Sequence, residues 1–181
     1  NKIEVIFLGN EFFLIDSLSA IQMVIISVVS FISILYSHTY IQDELSGGAI
    51  KPQKAKMYYM LIDLFVFSMY FVAVSNNIAA MWIGLEGTTL SIAFLIAFRR
   101  DKLSLEAAWK YIMVCSLGIG LGLVGIVLFI YSVGMGAEME VLNWTYIVKN
   151  YSLFDKDIVK IAFAFIFIGV GTKAGIAPMH T

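Results

Sequence analysis

The sequence predicts an all-α, polytopic transmembrane bundle. Of 181 residues, 60% are hydrophobic and only 14% are charged, with a mean hydropathy of +0.88. A soluble domain carries roughly a quarter charged residues, because polar groups must cover its surface. The charges also gather in clusters between apolar runs of about 20 residues, the length a helix needs to cross a hydrocarbon core of about 30 Å. The net charge of −1 offers no basic patch, so nucleic acid is not an expected partner. With two prolines and 14 glycines the chain is neither collagenous nor Pro-rich. The single cysteine, Cys115, lies inside an apolar run and supports neither an internal disulfide nor a cysteine metal cluster.

Five apolar runs qualify as spans: 16–40, 57–75, 77–98, 105–132 and 158–177. The first opens on Asp16-Ser17, a helix N-cap signature. Residues 1–15 form an extracytoplasmic lead-in, and 16–181 form one membrane domain. The chain begins Asn-Lys-Ile-Glu without a signal-peptide pattern and closes just after Pro178, so it reads as a fragment of a longer protein. The loop at 41–56 carries Lys51, Lys54 and Lys56, and the loop at 99–104 carries Arg99, Arg100 and Lys102. A tight turn at Asn76-Asn77 puts both basic loops on one side, which the positive-inside rule makes cytoplasmic. The connection at 133–157 then lies outside, with Glu138, Glu140, Asp155 and Asp157, and with Trp144 and Tyr146 suited to the interface. Gly118, Gly120, Gly122 and Gly125 fall mid-span. They resemble part of a dinucleotide fingerprint, but no strand precedes them, so close helix packing is the expected role.

Ionisable groups inside spans cost at least about 2.5–3.5 kcal/mol to insert and so mark candidate function. Glu86 lies nine residues beyond Asn77, about 14 Å deep, out of snorkelling range. The structural alternative ties it to Thr88, Thr89 or a neighbouring helix. Lys173 sits in a Gly-rich stretch that ends at Pro178, where the helix should break. Broken helices at membrane depth are tolerated where they line a polar cavity. Lys110 is about 8 Å from the basic edge of its span, shallow enough for snorkelling. His180 follows the break and has the chemistry of a proton relay. His38 and Asp63 read as interfacial. One buried acid, one buried base and a broken helix outline a proton path. There is no nucleophile–base pair, metal-ligand spacing or phosphate loop that would suggest bond-making chemistry.

Several stretches are specific enough to compare. Met81-Trp-Ile-Gly-Leu-Glu-Gly-Thr-Thr-Leu90, Leu105-Glu-Ala-Ala-Trp-Lys-Tyr111 with Cys115-Ser-Leu-Gly-Ile119, Leu142-Asn-Trp-Thr145 and Gly171-Thr-Lys-Ala-Gly-Ile-Ala-Pro-Met-His-Thr181 resemble the antiporter-like membrane subunits. That family spans respiratory complex I, Mrp-type sodium/proton antiporters and membrane-bound hydrogenases. Within it the combination looks closest to component F of hydrogenase-4, from complexes of formate hydrogenlyase type. The resemblance implies that Glu86 matches the family's glutamate on the fifth helix and Lys173 the central lysine of the broken seventh. It also implies that Lys110 matches the basic position of the sixth helix, and that His180 connects Lys173 to the next half-channel. The whole protein would have about fourteen helices in two inverted repeats, and the five spans here would be helices three to seven.

The function implied is proton translocation in the cytoplasmic membrane of a prokaryote, moving H+ or Na+. The partners implied are other membrane subunits and a peripheral hydrogenase or dehydrogenase arm. No cofactor is expected in this chain; a nickel–iron centre and iron–sulfur clusters would reside in partner subunits. An Mrp-type antiporter subunit and a non-pumping membrane anchor are the alternatives. Hydrogenase genes alongside would favour the energy-converting complex, and an anchor has no use for both Glu86 and Lys173.

Overall fold

The computed structural model describes residues 12–134 and 139–176. The helices are α1 Ser17–Ser46, α2 Pro52–Val74, α3 Ile78–Ile96 (continued by a 3-10 turn, Ala97–Arg99), α4 Lys102–Tyr131, a short α5 Trp144–Lys149, and α6 Lys156–Lys173. Four of these stretches, Ser17–Ser46, Pro52–Val74, Ile78–Arg99 and Lys102–Tyr131, are long and apolar enough to cross a membrane. The fifth expected span is present as α6, but it has only 18 residues and carries Lys156, Asp157, Lys160 and Lys173.

Helix ends differ from the hydropathy boundaries because caps, not hydrophobicity, decide where a helix stops. α1 runs on to Ser46 and closes on Gly47, whose N–H bonds Asp43 O at 2.9 Å. α2 starts at Pro52, where a missing N–H costs nothing and the ring presets φ. The expected loop at 41–56 therefore shrinks to residues 47–51. α4 starts at Lys102 because the Asp101 carboxylate accepts from Ser104 N at 2.6 Å, a bond that also holds this carboxyl below its ordinary range.

α6 ends four residues earlier than the sequence predicts, and Gly175 is the reason. Gly175 takes φ +71°, its N–H bonds Thr172 O at 3.2 Å, and Ile176 N–H bonds Gly171 O at 3.0 Å. That pair of bonds is a Schellman cap, in which a left-handed residue satisfies the last carbonyls of a helix. The break is thus made before Pro178, which lies outside the described residues.

The helices pack in chain order, α1 on α2, α2 on α3, α3 on α4, and α4 most extensively on α6. The buried positions are mostly small or weakly polar: Ala80, Gly84, Thr88, Thr89, Ser91 and Ala93 on α3, and Ala162, Gly169, Gly171 and Thr172 on α6. Large apolar side chains such as Val24, Phe31, Phe67, Phe94 and Phe163 point outward. This inversion follows from lipid as the solvent, because helices gain nothing by hiding leucine from hydrocarbon and associate through close backbone approach and hydrogen bonds. Between α1 and α2 the bonds are Ser27–Tyr70 at 2.6 Å and Ser37–Tyr58 at 3.0 Å. Gly118, Gly122 and Gly125 of α4 pack against α6 as expected, whereas Gly120 faces open space. A Cβ on Gly169 would lie 2.6 Å from Gly122 Cα, so the backbones of α6 and α4 touch there.

The two ends of the bundle also follow the expected loop assignment. At the basic end Arg99 pairs with Glu44, and Ile41, Ile50, Ala55 and Phe98 form a buried cluster that joins both basic loops. At the other end a polar clasp, not anticipated, ties the α2–α3 turn to the segment before α5. Asn77 is 9% exposed and caps α3 by accepting from the N–H groups of Ala79 and Ala80, both at 3.1 Å. Its Nδ2 donates to Asn143 Oδ1 at 2.9 Å, while Trp144 N–H bonds Asn76 O at 2.7 Å. Asn77→Ala removes a cap and leaves Asn143 short of a donor. We expect it to cost about 2 kcal/mol of stability, readable as a lower denaturation midpoint in detergent.

Candidate functional site

The local structure of α6 delivers Lys173 to the bundle interior. From Lys160, paired at 2.9 Å with Asp157 at the exposed start of the helix, Lys173 is thirteen residues on, about 20 Å at helical rise. α6 lies against α4 closely enough for the lysine to reach past it to α3. The Lys173 Nζ donates to Thr89 Oγ1 at 2.7 Å and lies 3.5 Å from Tyr111 Oη, with the Tyr111 ring centroid at 5.9 Å. A cation in the last turn also faces the favourable end of the α6 dipole.

Glu86 stands three residues before Thr89 on α3, about 4.5 Å along the axis and on the same side of the helix. Its Oε2 is buried without a hydrogen-bond partner among the described residues. Leaving such an atom unsatisfied costs about 1–3 kcal/mol or more, so the carboxyl is held in a costly position. Thr88 and Thr89 do not tie it down, since both hydroxyls donate to Leu85 O, at 2.7 and 3.0 Å. Glu86 and Lys173 form no salt bridge.

Beside Lys173 opens a cavity of about 620 Å³ whose polar points are Gln22, Thr88, Tyr111, Cys115, Thr172 and Lys173 itself. The remaining wall is apolar. Sequence reasoning missed Gln22 and Tyr111 as site-lining groups. Their signal was faint, since a glutamine or tyrosine in an apolar run is compatible with any helix face.

The other two expected site residues do not join this cluster within the described residues. Lys110 points away from the bundle and pairs with Glu106 at 2.6 Å on the exposed face of α4. Its neighbour Tyr111 turns inward, because successive helical residues face different ways. His180 lies outside the described residues. His38 and Asp63 are exposed, and Asp63 stands at the middle of α2 rather than near its start.

An acid and an amine from different helices, held in one interior beside a cavity, can be compared with known proteins. Residues 75–181 match the family described as NADH:quinone oxidoreductase/Mrp antiporter, TM. The chain belongs to this family. It is similar to a hydrogenase-4 component F homolog of Methylacidiphilum infernorum (isolate V4), 34% identical over 172 residues, covering 94% of this chain and 36% of that protein. Hydrogenase-4 component B of Escherichia coli (strain K12) is 30% identical over 166 residues, covering 92% of this chain and 23% of that protein. NADH-quinone oxidoreductase subunit N of Azoarcus sp. (strain BH72) is 29% identical over 172 residues, covering 94% and 33%. In fold, the chain is like one in respiratory complex I from Thermus thermophilus, with a TM-score of 0.66, 20% identity, and coverage of 92% of this chain and 33% of that one. This family member thus spans between 23% and 36% of the length of the curated relatives named here.

Proposed function

We propose that the chain is part of a proton-translocating membrane subunit of an energy-converting respiratory complex, of the membrane-bound hydrogenase or NADH:quinone oxidoreductase type. The observation that carries this reading is Lys173 reaching Thr89, one helical turn from a buried Glu86 oxygen that has no partner among the described residues. Two unit charges about 7 Å apart at an effective dielectric of about 20 interact by about 2.4 kcal/mol. A change of charge on Glu86 therefore moves the balance between holding and releasing a proton at Lys173 by more than a factor of ten. The ammonium gives its proton to the cavity when Glu86 is neutral, and regains one when the carboxylate is charged. Lys110 and His180 are the flanking groups in this reading, Lys110 toward neighbouring helices and His180 toward the next half-channel.

Redox chemistry in a peripheral arm would drive the cycle, with nickel–iron and iron–sulfur centres in partner subunits. Among the described residues no group of three or more His, Cys, Asp and Glu could hold a metal ion. The hydrogenase-4 and subunit N relatives support a redox-driven complex over a stand-alone Mrp-type antiporter. The basic end with Lys51, Lys54, Lys56, Arg99, Arg100 and Lys102 would face the cytoplasm of a prokaryote. The test is Lys173→Ala in the intact complex. Ion movement should vanish while electron transfer in the peripheral arm remains measurable, and pumping at the wild-type level would refute the reading. Parallel assays of acidification and sodium uptake would identify the ion.

A further inference from the structure

Given the function proposed above, the geometry points to Thr89 as the positioning residue that holds the Lys173 ammonium off Glu86. The ammonium has two acceptors within one turn of α3. One is neutral and is in use, at 2.7 Å; the other is the chargeable carboxyl whose Oε2 is buried and has no partner among the described residues. A mobile ammonium ordinarily goes to a buried carboxylate, because charge-assisted bonds are about twice as strong as neutral ones. Here it does not, and the chemistry of Thr89 explains why its position can compete.

Thr89 is 0% exposed, so no water contends for its hydroxyl. Its proton is already committed to Leu85 O at 3.0 Å, which leaves the oxygen as a pure acceptor aimed at the amine. The Tyr111 hydroxyl, 3.5 Å from Nζ, gives the amine a second, longer neutral contact. The lysine stem spans about 4.5 Å of travel, from the Thr89 level to the Glu86 level, without any shift of backbone. Thr89 and Glu86 thus offer a neutral rest and a charged dock for the same amine. Removing the Thr89 hydroxyl leaves the dock as the remaining strong acceptor, and the ammonium stays paired there.

The experiment uses the complete complex with Thr89→Val, which keeps the branched shape, and Thr89→Ser, which keeps the hydroxyl. Two quantities are read: ions moved per electron, and labelling of Glu86 by a hydrophobic carbodiimide, which attacks the un-ionised carboxyl. Thr89→Val should lower both by about tenfold, the equilibrium factor of one hydrogen bond to a charged group, and Thr89→Ser should restore both. A packing defect would disturb transport without protecting Glu86 from the reagent, and serine would not repair it. If the valine variant fails to assemble, Thr89→Ala gives the same two readings without the added methyls. Wild-type labelling and transport in an assembled Thr89→Val or Thr89→Ala complex would overturn the assignment. Should Lys173→Ala leave ion movement intact, the functional reading fails, and the labelling arm still decides whether Thr89 holds the amine.

Discussion

In the assembled complex, Lys173→Arg is expected to stop ion movement as completely as Lys173→Ala, although it preserves the positive charge. A guanidinium is not deprotonated in proteins, so it can hold a proton and never release it. Its five donors also match a carboxylate, and Glu86 Oε2 is available to it, so the variant should settle into a permanent pair. Size is not the obstacle, since the adjoining cavity of about 620 Å³ can take the larger head. Ion movement in membrane vesicles, read with a fluorescent pH probe, should fall below about a hundredth of wild type, equivalent to about 2.7 kcal/mol. Assembly should be unchanged, as judged by the amount of complex recovered. If arginine supported more than a tenth of the wild-type rate, a fixed charge would suffice at this position, and proton release by the amine would be ruled out.

Gly169→Ala is expected to cost about 3 kcal/mol, a severe effect for one methyl group. Its Cβ would lie 2.6 Å from Gly122 Cα, 2.7 Å from Gly122 N and 2.8 Å from Gly118 O, all of them backbone atoms of α4. A flexible side chain could rotate away from such a contact, but a helix backbone has to move bodily. Separating α4 from α6 would loosen the most extensive helix contact in the chain and move Lys173 away from Thr89. The usual gain of about 0.5–1 kcal/mol from replacing glycine in a helix offsets little of this. Gly120→Ala is the control, because nothing lies within 4 Å of a Cβ built there. It should be neutral or mildly stabilising. Thermal unfolding in detergent distinguishes the two, and equal midpoints would mean that the helices do not meet at Gly169.

The helices and the two central groups were legible because the bilayer imposes simple length and polarity rules. Glu86 and Lys173 declared themselves as charges where charges are costly, and the glycines of α4 as small residues where helices touch. Helix ends were less legible. Pro178 was the obvious breaker, yet the stop comes from Gly175, which looks like any other glycine until its left-handed backbone is seen. The Asn77–Asn143 clasp joins residues 66 apart in the chain, and no local pattern announces such a pair. Thr89 was considered as a support for Glu86; it serves Lys173 instead, because α6 ends at the height where the amine meets it. Lys110 shows the reverse limit. Its spacing from Glu106 permits a surface pair as readily as an inward role, and only the packing of α4 decides which way it turns.

The direct seating of α6 on the α4 backbone has a mechanical consequence. With its far end tied through Asp155 N–H to Ser132 O at 2.9 Å and Gly169 set against the Gly122 backbone, α6 is built as a stator rather than a lever. Glycine-to-glycine contact leaves no soft layer on which the rod could slide. Whatever travels at this centre is then four methylenes and an amine. Its clock is that of rotamer exchange, far faster than the microsecond-to-millisecond shifts of whole helices, so the pace of turnover must be set elsewhere.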